Sequence, residues 1–113
     1  MLKLKILIID DEVDYCLLMK TYFQDKGYEV FLAYTLKDGL AMIGTTEADI
    51  LFLDNNLPDG KGWPHVESIV EKFPNLKVYL LSAYHQKTDF VPTSKNVIVW
   101  EKPLSLKTLN ETF

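Results

Sequence analysis

The chain has 113 residues, of which 48% are hydrophobic and 25% are charged, and its net charge is -4 at pH 7. These values predict one domain over residues 1–113 with one hydrophobic core, and the near-even counts of acids and bases exclude a highly charged tail. Because no basic cluster and no apolar run near the ~20 residues of a membrane span is present, we expect a cytoplasmic protein in which this segment neither binds nucleic acid directly nor enters a membrane.

The first predicted strand covers residues 5–10, an apolar run that ends in three acids, Asp10, Asp11 and Glu12. Apolar residues at helical spacing follow it and predict an amphipathic helix that stops at Gly27, with Cys16 in its buried face. An edge strand is predicted for residues 28–34.

A second helix is predicted to begin at Thr35, which together with Asp38 resembles a capping box, and to end near Gly44. Residues 49–54 then contain four apolar residues without a polar break and end at Asp54, as expected for a central strand covered on both faces. The turn-forming residues after it, 55–60, predict a loop.

The third helix is predicted from Gly62 onwards, with Pro64 in its first turn and Pro74 closing it. A fourth strand, residues 77–82, ends in the hydroxyl of Ser82. Residues 83–96 predict a short, irregular helix.

The fifth strand is predicted for residues 96–100 and is followed closely by Lys102 and Pro103. Ser105 is expected to cap a last helix that is truncated at Phe113. Five repeats of strand and helix with short connections predict an α/β fold with a parallel sheet and helices on both faces.

Polar residues at the carboxyl ends of four predicted strands are expected to meet at one edge of this sheet: Asp10, Asp11, Asp54, Ser82 and Lys102. Carboxylates held ~4 Å apart repel by about 4 kcal/mol at an effective dielectric near 20, and a hard divalent cation such as Mg²⁺ relieves this repulsion. A lysine ammonium and a serine hydroxyl are groups suited to holding a phosphoryl group, and a carboxylate can act as its acceptor.

In these motifs the chain resembles a response-regulator receiver domain of bacterial two-component signalling. The matching positions are Asp10-Asp11, Asp54 with Asn-Asn-Leu-Pro and Gly62 after it, Ser82-Ala83, and Lys102-Pro103. The resemblance implies a flavodoxin-like doubly wound sheet of order 2-1-3-4-5.

For the site, the resemblance implies that Asp54 is phosphorylated by a sensor histidine kinase or phosphotransfer protein. It implies Mg²⁺ bound by Asp11, Asp54 and the backbone carbonyl of Asn56, with Asp10 acting through water. Ser82 and Lys102 would contact the phosphoryl oxygens, and the peptide between Lys102 and Pro103 would be cis. A signalling domain of this kind is not expected to be a turnover enzyme, and an effector domain is expected beyond residue 113, while the oligomeric state stays open.

Two positions bear on signalling and on the lifetime of the phosphoryl group. Val99 replaces the aromatic residue that receivers usually carry three residues before the lysine, and Trp100 is expected to point to the opposite face of the sheet. Tyr84 occupies a position that in the family borders the path of hydrolytic water, and its bulk is expected to slow loss of the phosphoryl group.

Three other functions fit parts of the pattern. A degenerate receiver that binds partners without phosphorylation would explain Val99 and the irregular fourth helix. A phosphatase of the aspartyl-nucleophile type needs a second aspartate where this chain has Asn56, and an FMN-binding module needs a phosphate loop where this chain has acids.

Overall fold

The computed structural model describes residues 3–82, 96–102 and 106–113. Its α-helices are α1 (Val13–Asp25), α2 (Leu36–Thr46), α3 (Val66–Lys72) and α4 (Leu106–Thr112), and a 3-10 helix (Trp63–His65) precedes α3. Its strands are β1 (Lys5–Ile9), β2 (Glu29–Ala33), β3 (Ile50–Asp54), β4 (Asn56–Leu57), β5 (Gly60–Lys61), β6 (Lys77–Ser82) and β7 (Val97–Glu101).

The main sheet has five parallel strands in the order β2-β1-β3-β6-β7. The two remaining strands, β4 and β5, pair only with each other in an antiparallel hairpin. With the hairpin set aside, the order is the expected 2-1-3-4-5, so the flavodoxin-like α/β fold is confirmed.

The central strand β3 is buried on both faces of the sheet, which explains its unbroken apolar sequence. Its residues alternate between two core clusters, with Leu51 and Leu53 in one and Ile50 and Phe52 in the other. Helices α2 and α3 cover the first cluster, while α1, with Cys16 fully buried as predicted, and α4 cover the second. This layering holds the carboxyl end of β3 in the middle of the molecule.

Several boundaries differ from the sequence-based expectations. Helix α2 does not end at Gly44 but continues to Thr46, and Glu47 closes it in the left-handed conformation with φ 54°. Gly44 lies inside the helix and faces the ring of Phe73, where a Cβ atom would make an ordinary contact at 3.5 Å. Pro64 lies in the 3-10 helix rather than in the first turn of α3.

The segment after Asp54, expected to be a loop, contains the hairpin of β4 and β5. Gly60 allows this hairpin because its φ of 149° is a conformation that other residues rarely adopt. The predictions made for residues 83–95, for Tyr84, for Ser105 and for the peptide between Lys102 and Pro103 lie outside the described residues. None of the helices in the described ranges combines the length and hydropathy that a bilayer crossing requires.

Candidate functional site

Four predicted site residues lie at the carboxyl ends of neighbouring strands: Asp10 after β1, Asp54 at the end of β3, Ser82 at the end of β6 and Lys102 after β7. Asp10, Asp54 and Ser82 are buried, with exposed fractions of 0%, 4% and 3%. Burial of ionisable groups is costly unless they have partners, so this concentration marks the edge of the sheet as a site.

Asp10, Asp11 and Asp54 form an acidic cluster in which one carboxylate oxygen from each lies within 4.8 Å of the others. Asp11 is exposed and faces the solvent side of the cluster, whereas the other two are buried. Hard carboxylate oxygens at this separation, open to water on one side, are a donor set that fits Mg²⁺. The residues present are therefore compatible with the expected metal.

Lys102 supplies the positive charge of the site, and its side chain is only 9% exposed. Its Nζ atom lies 2.5 Å from Asp10 Oδ2, 3.2 Å from Glu12 Oε1 and 3.6 Å from Asp54 Oδ1. The backbone amide of Lys102 donates to the Ser82 carbonyl oxygen at 2.7 Å, which fixes its chain position beside β6. Hydrogen bonds and attraction from the carboxylates outweigh burial and raise the pKa of Lys102.

The two buried carboxyl groups of the cluster, those of Asp54 and Asp10, both have raised pKa values. Burial, followed by repulsion from Asp10, raises the pKa of Asp54 to about 6, against the lowering effects of Lys102 and of a hydrogen bond from the Asn56 backbone. Burial also raises the pKa of Asp10, despite its hydrogen bond with Lys102. The ammonium group of Lys102 by itself therefore does not fully compensate the negative charge of the cluster.

The segment that follows Asp54 lies tightly against β3. The Gly62 amide donates to the Asn55 carbonyl oxygen at 3.0 Å, and a Cβ atom at Gly62 would collide with the Asp54 carbonyl oxygen and with Leu53. The side chain of Asn56 accepts a hydrogen bond from Lys61 Nζ at 2.6 Å. Asn56, the expected carbonyl ligand, is therefore held next to Asp54 by its own hairpin.

Val99 and Trp100 lie on opposite faces of the sheet, as expected. Val99 packs against the cluster beneath α2 and α3, whereas Trp100 packs against the opposite cluster beneath α1 and α4. The Trp100 ring packs against the Tyr79 ring in a tilted arrangement, with ring centroids 4.6 Å apart. Trp100 thus does not take the place of the aromatic residue missing at Val99.

Two contacts near the site were missed by the sequence reasoning. The Tyr15 ring lies under the Lys102 ammonium, 5.1 Å from ring centroid to Nζ, and could have been suspected because Tyr15 lies in the first turn of α1, shortly after the three acids. Asp59 accepts hydrogen bonds from the backbone amides of Leu36 and Lys37. No periodic signal links these residues, since 22 or more positions separate them in the chain.

A parallel five-stranded fold with an acid cluster and a lysine at one edge is the architecture of a receiver. The family model for the response regulator receiver domain matches residues 6–111. The chain therefore belongs to the response regulator receiver domain family.

Among curated relatives, the regulatory protein VanR of Enterococcus faecium is 38% identical over 68 residues, 60% of this chain and 29% of that protein. The transcriptional regulatory protein ZraR of Salmonella typhimurium is 26% identical over 97% of this chain and 25% of its own length. The chain thus spans less than a third of these two relatives.

Solved structures agree with the assignment. A receiver domain protein from Methanospirillum hungatei JF-1 is 25% identical with a TM-score of 0.83, over 98% of this chain and 90% of that one. The response regulator TrrA of Thermotoga maritima, solved with Mg²⁺ and BeF, is 27% identical with a TM-score of 0.77, over 96% of this chain and 95% of that one. TrrA has also been solved in complex with the histidine kinase ThkA.

Proposed function

We propose that Asp54 accepts a phosphoryl group from a sensor histidine kinase or phosphotransfer protein in a Mg²⁺-dependent reaction. The observation that carries this proposal is the buried carboxylate of Asp54 at a strand end, between an acidic cluster and the ammonium of Lys102 at 3.6 Å. A carboxylate in this position is partly desolvated and has an oxygen available as a nucleophile.

In the proposed reaction an Asp54 carboxylate oxygen forms a bond to phosphorus while the bond from phosphorus to the donor histidine nitrogen breaks. The histidine nitrogen keeps the electron pair of that bond and takes up a proton. Lys102 stays within reach of Asp54 and stabilises the negative charge on the phosphoryl oxygens, and Ser82 donates its hydroxyl to them.

Mg²⁺ would be held by Asp11, Asp54 and the backbone carbonyl of Asn56, with Asp10 acting through water, and would neutralise charge on the carboxylates and the incoming phosphoryl group. The acidic cluster supports this assignment because its oxygen atoms already lie within 4.8 Å of one another. The Mg²⁺ complex of TrrA, a relative of the same fold, gives independent support.

The partners follow from the relatives. The complex of TrrA with a histidine kinase supports a kinase as the donor, and the regulatory relatives support an effector domain attached to this receiver in the full protein. We propose a signalling domain that promotes its own phosphorylation and loses the group slowly, rather than an enzyme with a turnover substrate.

The test is incubation with acetyl phosphate and Mg²⁺ followed by intact-mass measurement. We expect one base-labile phosphoryl adduct in the native chain and none in Asp54→Asn. Asp49→Asn is the matched control, because Asp49 lies beside the opposite end of the same strand, where it accepts a hydrogen bond from the Lys5 amide. A native chain without an adduct would contradict the proposal and favour a receiver that binds partners without phosphorylation.

A further inference from the structure

We propose that Asp59 is a positioning residue for the phosphorylation site, because its carboxylate ties the segment after Asp54 to the start of helix α2. This inference deepens the proposed function and rests on it. Asp59 does not reach the acidic cluster in this role. It acts through Asn56, whose backbone is expected to contact the metal.

The tie between Asp59 and α2 uses both carboxylate oxygens. Oδ1 accepts from the Leu36 amide at 2.7 Å, and Oδ2 accepts from the Lys37 amide at 2.9 Å. These hydrogen bonds lower the pKa of Asp59, so the carboxylate is ionised at neutral pH. Two charge-assisted bonds from neighbouring amides fix the orientation of the carboxylate as well as its position.

The same segment is anchored at its two ends. At its start, the Asn55 amide donates to the Leu81 carbonyl oxygen at 3.1 Å, and at its end the Gly62 amide donates to the Asn55 carbonyl oxygen at 3.0 Å. Asp59 adds an anchor at the turn of the hairpin, and Leu57 beside it is buried in the same cluster as Leu36. Asn56 lies between these anchors, so its position depends on all of them.

Capping of α2 does not by itself account for Asp59. Thr35 already caps this helix, since its Oγ1 accepts from the Asp38 amide at 3.1 Å. Thr35 belongs to the chain entering α2, and its capping bond to Asp38 stays within that segment, whereas Asp59 belongs to the hairpin itself. Removal of either side chain weakens the start of α2, but only removal of Asp59 releases the segment that carries Asn56. A comparison of variants at Thr35 and Asp59 therefore distinguishes a capping role from a positioning role.

The experiment measures the Mg²⁺ dissociation constant by calorimetry at a temperature where every variant is folded, and then the rate of phosphorylation by acetyl phosphate at saturating Mg²⁺. We expect Asp59→Ala to weaken Mg²⁺ binding on the order of tenfold, the lower end of the range for residues that orient metal ligands. Asp59→Asn should lie between, because its amide oxygen can still accept one of the two bonds. Thr35→Ala should bind Mg²⁺ as the native chain does.

A second control addresses charge. Asp38→Asn removes one acid from the same helix end and leaves both bonds of Asp59 in place, so its Mg²⁺ affinity should stay close to native. Equal Mg²⁺ affinities in Asp59→Ala, Thr35→Ala and the native chain would overturn the positioning role, as would equal losses in Asp59→Ala and Asp38→Asn. A native chain that fails to bind Mg²⁺ would overturn the proposed function as well.

Discussion

Lys102 pairs with Asp10 at 2.5 Å, more closely than with Asp54 at 3.6 Å. The ammonium is therefore engaged mainly by the carboxylate that is completely buried. We infer that Lys102 has a structural role, which is to compensate the buried charge of Asp10.

Replacing Lys102 with methionine should destabilise the fold at pH 7 by about 3 kcal/mol, because a buried carboxylate loses its partner. The pKa of Lys102 is raised from 10.5, so titration of the lysine itself removes its contribution only above pH 10.5. The loss in Lys102→Met should shrink toward pH 5, where the carboxyls take up protons. Urea unfolding at both pH values measures it, with the exposed Lys107→Met as control; equal effects of the two variants at pH 7 would contradict the role.

Asp54→Asn should stabilise the protein at pH 7 when divalent cations are removed with EDTA. The pKa of Asp54 is about 6 in the folded chain against 3.8 for an ordinary aspartate, so protonation of Asp54 stabilises the folded state relative to the unfolded chain. The folded state therefore loses stability as the pH rises from about 4 through 6, by on the order of 2–3 kcal/mol. Thermal unfolding should show a higher Tm for Asp54→Asn at pH 7 and no gain near pH 4, while Asp49→Asn should show no gain at either pH.

Mg²⁺ binding should weaken as the pH is lowered from 7.5 to 5, because protons compete for the oxygens of Asp54 and Asp10, whose pKa values are raised. With a pKa of about 6 for Asp54, the expected loss is roughly tenfold at pH 5. Calorimetric titration at several pH values gives the profile. An affinity that stays constant over this interval would mean that Asp54 does not bind the metal.

Two glycine-to-alanine changes should have opposite effects on the free energy of unfolding. Gly62→Ala places a methyl group against the Asp54 carbonyl oxygen and Leu53, which should cost about 1–3 kcal/mol and slow phosphorylation. Gly44→Ala lies within α2, and the nearest atom of Phe73 is 3.5 Å from the new methyl group, so a gain of about 0.5–1 kcal/mol is expected. Urea unfolding of both variants checks the prediction, and a loss in Gly44→Ala would show that the contact with Phe73 is too close.

The sequence alone predicted the main strands and the polar residues that follow their carboxyl ends. Strands that are buried in a parallel sheet consist of continuous apolar runs, so the sequence predicted β1, β3 and β6. It also predicted that Thr35 caps α2. The predicted ends of the helices were less accurate. Gly44 looked like a stop signal, yet α2 continues to Thr46 and Glu47 closes it in the left-handed conformation.

What the sequence determined by itself was the family, the alternation of strands and helices, and the acids, hydroxyl and lysine that the carboxyl ends of the strands carry. Only the tertiary structure decided how these groups pair: Lys102 with Asp10 ahead of Asp54, Tyr15 beneath Lys102, and Asp59 across to α2. The reason is physical. Burial and backbone periodicity leave a repeating pattern along the chain, whereas hydrogen bonds and ion pairs between distant residues depend on side-chain positions in space, for which a sequence has no period.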